Sequence, residues 1–354
     1  MPKSATIGII YAGGTFGSHG NPLKSLDNST FLPILTDILE QHFAHKTTTH
    51  WQILPNPIVK DSSQLTPADF AHFYQLIIQA YQSGIYQFVL LTGTDTLSYL
   101  AAFLAHSLAD SDICVIVTGA MQPLLQPLSP KYTLNPASDA SKNLLQSCHL
   151  ALTGTAGVYA CFAYDHWPAQ TVQKIHSHDT IAFTGHQNAG YPATSYHQFT
   201  DKQFTTKREI WLTQHLENLD NTLKNLANAK ILPIFLTPMS GDDLANLLQN
   251  MLKHKPDALI LLGFGAGNLP HSQAVEQALI QAYTQNCLVA ISTQCPFGGV
   301  SNSYQAGAWL NEFYVFNTES LTVATIFARL LWLVATVNQV QNRRQVWQKM
   351  LKKN

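Results

Sequence analysis

Short β-branched runs alternate with longer amphipathic segments along most of the chain, the pattern of βαβ units around a mainly parallel sheet. The first strand is predicted at Thr6–Tyr11, and after a glycine-rich turn the segment Thr30–Phe43 reads as a helix. A second helix opens at Thr66-Pro67-Ala68-Asp69, which supplies a cap, a first-turn proline and an acidic residue at the positive end of the helix dipole. Gly84 ends it. Strand Gln87–Leu91, helix Leu97–Ala109, strand Ile113–Thr118, helix Ser141–Leu152 and strand Val158–Ala163 continue the rhythm. From Gly185 to about Lys230 the alternation gives way to polar residues, Pro192 and a charged stretch, with a connecting helix predicted at Ile210–Leu226. A second series then runs through strand Ile231–Leu236, a helix opening at Ser240 with Asp243 at its third position, and strand Ala258–Leu262. It continues with helix Ser272–Asn286, strand Cys287–Ser292, helix Leu321–Val337 and a basic helical tail from Asn338. The expected fold is therefore α/β in two domains. A larger N-terminal domain, a mainly parallel sheet flanked by helices, spans residues 1–190; a linker spans 191–229; a smaller parallel-sheet α/β domain spans 230–354.

Composition narrows the classes of function. A chain of 354 residues exceeds what one core usually organises, and 46% hydrophobic against 12% charged residues can fill two cores and excludes disorder. Twenty Lys and Arg against 21 Asp and Glu give a net charge of -1, with no positive surplus to neutralise a phosphate backbone. Nucleic acid is not an expected partner. The five cysteines, Cys114, Cys148, Cys161, Cys287 and Cys295, are odd in number, scattered and mostly in apolar runs, which suits a reducing compartment. The first ten residues contain one lysine and then a strand, with no apolar stretch of signal length, so a cytoplasmic location is expected. Leu321–Val337 is interrupted by Arg329 and is short for a bilayer, so it reads as a buried helix and no membrane partner is expected. His176, His178 and His186 invite a metal reading, but their spacing matches no zinc pattern. Solvated or hydrogen-bonded histidines are expected, and no metal or other cofactor.

Ligands bind open parallel sheets at the carboxyl ends of strands, so the turns that follow the strands hold the candidate chemistry. After the first strand, Ala12-Gly13-Gly14-Thr15-Phe16-Gly17 lets the backbone turn sharply and bring a hydroxyl and amide N–H groups to a ligand. The same glycines would serve a tight βα turn or a phosphate cradle. After Gln87–Leu91, Thr92-Gly93-Thr94-Asp95-Thr96 crowds three hydroxyls and a carboxylate at a helix start. Helix capping by Thr94 or Asp95 accounts for one of those side chains and leaves the others over. A third polar turn, Asp61-Ser62-Ser63-Gln64, follows the segment Trp51–Val59 and by itself reads as a loop.

Together these turns resemble the bacterial asparaginase and glutaminase family, whose signatures are a Thr-Gly-Gly-Thr and a Gly-Thr-Asp-Thr turn after parallel strands. The resemblance continues through Thr118-Gly119-Ala120-Met121-Gln122-Pro123, Ser138-Asp139 with Asn143-Leu144-Leu145, Gly265-Ala266-Gly267-Asn268 and Thr293-Gln294-Cys295. The Asp-Ser-Ser turn is similar to that of the cytoplasmic, type I branch. What the resemblance implies is hydrolysis of L-asparagine to L-aspartate and ammonia by a threonine nucleophile through an acyl-enzyme. It implies Thr15 as nucleophile and Thr94, Asp95 and a lysine as the second catalytic set. Lys174, opening the segment Lys174–Phe183, matches that lysine. Ser62, Ser63, Gly93, Asp95, Ala120 and Asn268 match substrate-binding positions, with Asp95 for the α-ammonium and Ser62 for the α-carboxylate. Asn268 would serve the site of a neighbouring protomer, so the resemblance implies a homodimer or homotetramer. Thr293 and Cys295 match part of an effector pocket.

The chain also departs from the pattern. Ala12, Phe16 and Thr92 replace a threonine, a small aliphatic residue and a histidine, and the segment Phe16–Phe31 lacks the family's loop tyrosine, for which His19, Lys24 or a residue from elsewhere in the chain could substitute. Two other readings remain open. One is the amidase component of a transfer-RNA-dependent amidotransferase, for whose additional amino-terminal domain a strand beginning at Thr6 leaves no room. The other is a non-catalytic amino-acid-binding homologue. Asparagine and glutamine differ by one methylene, worth roughly 1–3 kcal/mol in a pocket, and no residue fixes the choice.

Overall fold

Ile7, Ile9 and Ile10 are all fully buried in the strand β1 (Ala5–Tyr11), as expected of a continuous apolar run in a sheet covered on both faces. The structure, a computed structural model, describes residues 5–45, 49–128, 131–153, 155–186, 201–301 and 309–352. It separates into two units, Met1–Asp220 and Asn221–Asn354.

In the first unit β1 is followed by a hairpin of two short strands, β2 (Ser18–His19) and β3 (Lys24–Ser25), and then by α1 (Asn28–Phe43). The chain continues through β4 (Thr49–Ile53), α2 (Pro67–Gln82), β5 (Gln87–Leu91), α3 (Leu97–Ser107) and β6 (Cys114–Thr118). A hairpin of β7 (Leu125–Leu128) and β8 (Lys131–Leu134) precedes α4 (Ala140–Leu152), β9 (Gly157–Phe162) and β10 (Asp165–Pro168). A last hairpin, β11 (Gln173–Lys174) with β12 (Phe183–Thr184), comes before α5 (Asp201–Glu217).

The main sheet has the order β10-β9-β6-β5-β1-β4, with β10 antiparallel and every other neighbour parallel. From β1 the chain steps outward to β4 and then crosses back to β5 on the other side of β1. The topology therefore reverses between β1 and β5, where the loops part and leave a crevice at the carboxyl edge. One side of the core is aromatic: the rings of Tyr11 and Phe31 lie 4.4 Å apart, and Phe16 meets Phe31 edge-on at 6.2 Å.

The second unit carries a four-stranded parallel sheet, β13 (Ile231–Phe235), β14 (Ala258–Gly263), β15 (Leu288–Thr293) and β16 (Val315–Asn317), in sequence order. Just ahead of it lies α6 (Leu219–Asn228). Three of its helices, α7 (Gly241–Leu252), α8 (Gln273–Thr284) and α9 (Val323–Thr336), start from hydroxyl caps at Ser240, Ser272 and Thr322. The tail forms α10 (Val340–Lys352), whose buried Trp347 stacks on Phe316 at 5.2 Å. Arg329 is buried within α9, and among the described residues no helix is long and apolar enough to cross a membrane.

Several details differ from the sequence reading. The connecting helix begins at Asp201 rather than Ile210 and is broken near Asn218 into α5 and α6. Lys174 sits in the β11–β12 hairpin, separated from β9 by β10 and a short 3-10 turn, elements that the sequence reading did not contain. Hairpins with strands of two to four residues carry too little alternation to register in a pattern. Cys114, Cys148, Cys161 and Cys287 are buried free thiols, and Cys295 is exposed. Burial pushes the Cys161 thiol up to about 11, which keeps it protonated at neutral pH.

Candidate active site

The turns after β1, β4, β5 and β6 meet at the carboxyl edge of the sheet, and glycines permit the meeting. Gly13 and Gly14 have φ of 95° and 78°. A side chain on Gly13 would come within 2.5 Å of the Lys60 carbonyl, and one on Gly14 would overlap the backbone of Gly93. Backbone hydrogen bonds lock the arrangement. Ala12 N–H donates to Leu91 O at 2.8 Å, Lys60 N–H to Ala12 O at 3.2 Å, and Thr92 N–H to Thr118 O at 2.9 Å. The turn that bears Thr15 is thus held against the turn that bears Thr94. Thr15 opens a 3-10 turn directly after Gly14 and is half-buried, and Ser18 closes the turn by donating from Oγ to Gly14 O at 2.8 Å.

Lys174 reaches this edge from the β11–β12 hairpin. Its ammonium donates to Thr94 Oγ1 at 2.9 Å and to Asp95 Oδ1 at 2.8 Å. The Lys174 side chain is 21% exposed and that of Asp95 58% exposed, so the carboxylate keeps an open side while the ammonium is largely enclosed. Thr94 is buried. Ser62 is buried beside Gly93; its Oγ accepts the Asp95 N–H at 3.2 Å and its carbonyl accepts the Thr96 hydroxyl at 2.8 Å. Having accepted that bond, the Ser62 hydroxyl retains its own hydrogen for an anionic ligand.

Ser63 is exposed and turned away, its N–H and Oγ both donating to Asp61 Oδ1, at 2.8 and 2.7 Å. Ala120 is fully buried in the turn after β6. That turn is pinned from α4: Met121 and Gln122 N–H groups donate to the Asp139 carboxylate at 3.0–3.1 Å, and Asn143 Nδ2 donates to Gly119 O at 2.9 Å.

Asn268, Thr293 and Cys295 belong to the second unit. Asn268 closes a tight turn with Phe264, and its Oδ1 is enclosed without a hydrogen-bond partner among the described residues. Thr293 Oγ1 donates to Gly265 O and accepts the Cys295 N–H at 2.9 Å, which joins the two candidate groups in one turn cluster. Among the histidines, His176 Nδ1 accepts the backbone N–H groups of His178 and Asp179 at 3.1 and 2.8 Å and so organises its own turn.

Sequence reasoning missed the residues that hold these turns from outside. Asn56 and His72 tie the end of β1 to the loop after β4, and Lys60 pairs with Asp69 at 2.8 Å. His19, in the hairpin after Thr15, meets Tyr132 of the β7–β8 hairpin, with the rings 5.5 Å apart and Tyr132 Oη 3.4 Å from His19 Nδ1. The Asn56-Pro57 pair is a readable turn signal, but the partners lie 45 and 16 residues away in sequence.

Residues 6–208 match the family described as Asparaginase, N-terminal, and residues 234–347 match the Glutaminase/Asparaginase C-terminal domain. The chain belongs to the asparaginase family. L-asparaginase 1 of Escherichia coli K12 is 24% identical over 348 residues, covering 94% of this chain and 93% of that protein. The solved thermostable L-asparaginase from Thermococcus kodakarensis superposes with a TM-score of 0.69 at 20% identity, covering 96% of both chains. A glutamyl-tRNA(Gln) amidotransferase component from Pyrococcus abyssi is 23% identical over 299 residues, 80% of this chain and 62% of that protein.

Proposed function

We propose that the chain is an amidohydrolase that converts L-asparagine to L-aspartate and ammonia, with Thr15 as the acylated residue. The observation that carries the reading is the Lys174 ammonium shared by Thr94 and Asp95, on a turn packed against the Thr15 turn at the reversal point of the sheet. The open side of Asp95 receives the substrate α-ammonium, and Ser62 donates to the α-carboxylate.

Thr15 Oγ then attacks the side-chain amide carbon while its proton passes, through the Thr94 hydroxyl, to Lys174 acting as the neutral amine. N–H groups of the glycine turns hold the oxyanion. Return of the proton to nitrogen breaks the C–N bond and releases ammonia, leaving an aspartyl ester on Thr15. Water, deprotonated by the same pair, cleaves the ester to aspartate and restores the hydroxyl.

Ammonia release from L-asparagine and L-glutamine by the purified protein tests the reading and measures any glutaminase side activity. Thr15→Ala should bind aspartate and release no ammonia, and an adduct trapped on Thr94 in place of Thr15 would overturn the assignment. The similarity to the amidotransferase component favours a second reading, in which ammonia release requires transfer RNA; activity on free asparagine without RNA removes it. We place the enzyme in the cytoplasm as a homodimer or homotetramer in which Asn268 completes a neighbour's site, and a fully active monomer in light scattering would refute the shared site. Thr293 and Cys295 would form an effector pocket on this reading, which hyperbolic kinetics unchanged in Cys295→Ala would remove.

A further inference from the structure

Between the candidate nucleophile turn and the Ser62 turn stands a side chain whose hydrogen-bonding capacity is fully used. Asn56 Nδ2 donates to Tyr11 O and to Ile58 O, both at 2.8 Å, and its Oδ1 accepts the Ile58 N–H at 3.1 Å and faces His72 Nε2 at 3.1 Å. An asparagine amide offers two donors and two acceptor sites, and all four are engaged. Tyr11 is the last residue of β1, four positions before Thr15, and Ile58 is four positions before Ser62. The amide therefore ties the approaches to both turns to each other.

Two carbonyls fix which way the amide points, because only its NH2 group can serve them. Its oxygen must then face His72, so His72 Nε2 carries a hydrogen and donates. His72 sits on α2, one turn along from Asp69. Asp69 in turn accepts the Lys60 ammonium at 2.8 Å and the Thr66 N–H at 2.7 Å. The first turns of α2 thus hold the loop of residues 56–62 near both ends, through His72 to Asn56 and through Asp69 to Lys60.

We infer that Asn56 is a positioning residue that sets the Thr15 turn and the Ser62 turn in register, and that His72 orients it. The inference rests on the asparaginase reading for its catalytic consequence and on hydrogen bonding alone for its structural one. A misplacement of about 1 Å costs on the order of 100-fold in rate. Loss of the amide's bond to the end of β1 is a displacement of that kind for Thr15, whereas Ser62 keeps its own bonds to Asp95 and Thr96.

The test uses the full-length chain with Asn56→Ala, His72→Ala and His72→Gln, since a glutamine amide can present N–H to Asn56 Oδ1. Turnover of asparagine is expressed per aspartate-binding site counted by calorimetry, which removes any contribution from unfolded protein. Hydrogen exchange is followed in peptides covering residues 12–18 and 58–65. Asn56→Ala should lower turnover per site by roughly 100-fold and speed exchange in those two peptides while β6 and α3 stay protected. His72→Ala should move both readouts the same way, His72→Gln should restore them, and His72→Ala added to Asn56→Ala should change nothing further. Unchanged or uniformly raised exchange in Asn56→Ala, or His72→Gln as impaired as His72→Ala, would overturn the inference. Should the wild type release no ammonia, the asparaginase reading fails and the exchange pattern alone decides the role of Asn56.

Discussion

A lysine ammonium that donates to a buried threonine hydroxyl and to a half-exposed carboxylate is, on the proposed reading, the proton relay for the nucleophile and the attacking water. Replacing Lys174 by methionine keeps the stem and removes the relay. Turnover should then fall by roughly two to four powers of ten, the scale of a lost positioned acid or base. Aspartate binding should survive because Asp95 and Ser62 remain. A lysine with only a surface role would leave the rate near normal and stability within about 0.5 kcal/mol, so steady-state ammonia release and calorimetry on Lys174→Met discriminate between the roles. Gly14 makes a complementary case. Its φ of 78° and its contact with Gly93 leave no room for a methyl, so Gly14→Ala must push the Thr15 turn off the Thr94 turn. It should abolish ammonia release and cost about 1–3 kcal/mol in backbone strain alone. Gly84 has a φ of 95° but only the Tyr86 hydroxyl near its missing Cβ, at 4.0 Å, so Gly84→Ala should cost the strain without the activity. Urea melts and rates on the pair separate strain from collision.

Among the elements, α2 does more than cover the sheet. Its first turn is closed by a capping box in which the Asp69 carboxylate accepts the Thr66 N–H at 2.7 Å and the Thr66 hydroxyl at 2.8 Å. Burial pushes the Asp69 carboxyl up, but the Lys60 and Thr66 hydrogen bonds outweigh it and hold the group below the usual carboxylate range. Asp69→Ala should cost about 1–2 kcal/mol for the cap, with little added for the ion pair because Lys60 is partly exposed. It should also slow turnover by loosening Lys60 beneath Gly13. Ser272→Ala removes a comparable cap from α8 and should lower stability similarly with no change in rate.

The main strands and helices were legible in the sequence because each buries a continuous apolar run or stripe, as β1 does with Ile7, Ile9 and Ile10. Thr94 and Asp95 stood out because short polar residues crowd at the end of β5, whereas the Ser62 turn by itself read as a loop and gained a role only through the resemblance. The meeting of Lys174 with Thr94 and Asp95 was legible only through the resemblance, since 80 and 79 residues separate the partners. Asn56 and His72 were not legible as partners: an asparagine before proline signals a turn and a histidine lies on a helix, but neither carries a mark of what it will face.

Taken as a whole, the molecule has a net charge of -1 and a sequence pI of about 6.9, so no large overall repulsion builds up near neutrality and individual groups set the pH dependence there. Two histidines of the first unit decide its sign. Burial lowers the pKa of His72 against the opposing pull of Asp69, and burial lowers that of His215, which is stacked on Trp211 at 3.8 Å with Nδ1 2.8 Å from the Trp211 carbonyl. A base whose folded pKa is depressed resists a proton that the unfolded chain accepts. The unfolded state therefore binds more protons once pH drops below the ordinary histidine value of about 6.5. The stability these sites contribute is fully present above that pH and is lost as pH falls through the depressed folded values. Asp69 acts later, since its lowered pKa confines its loss of stability to the acidic side of the carboxylate range. Urea midpoints of the first unit, read from hydrogen exchange in β1 and β5, should thus decline between about pH 7 and pH 5, before any carboxylate titrates. His72→Gln combined with His215→Gln should flatten that decline while leaving the more acidic loss in place. A decline unchanged in the double variant would show that neither histidine resists protonation in the folded state.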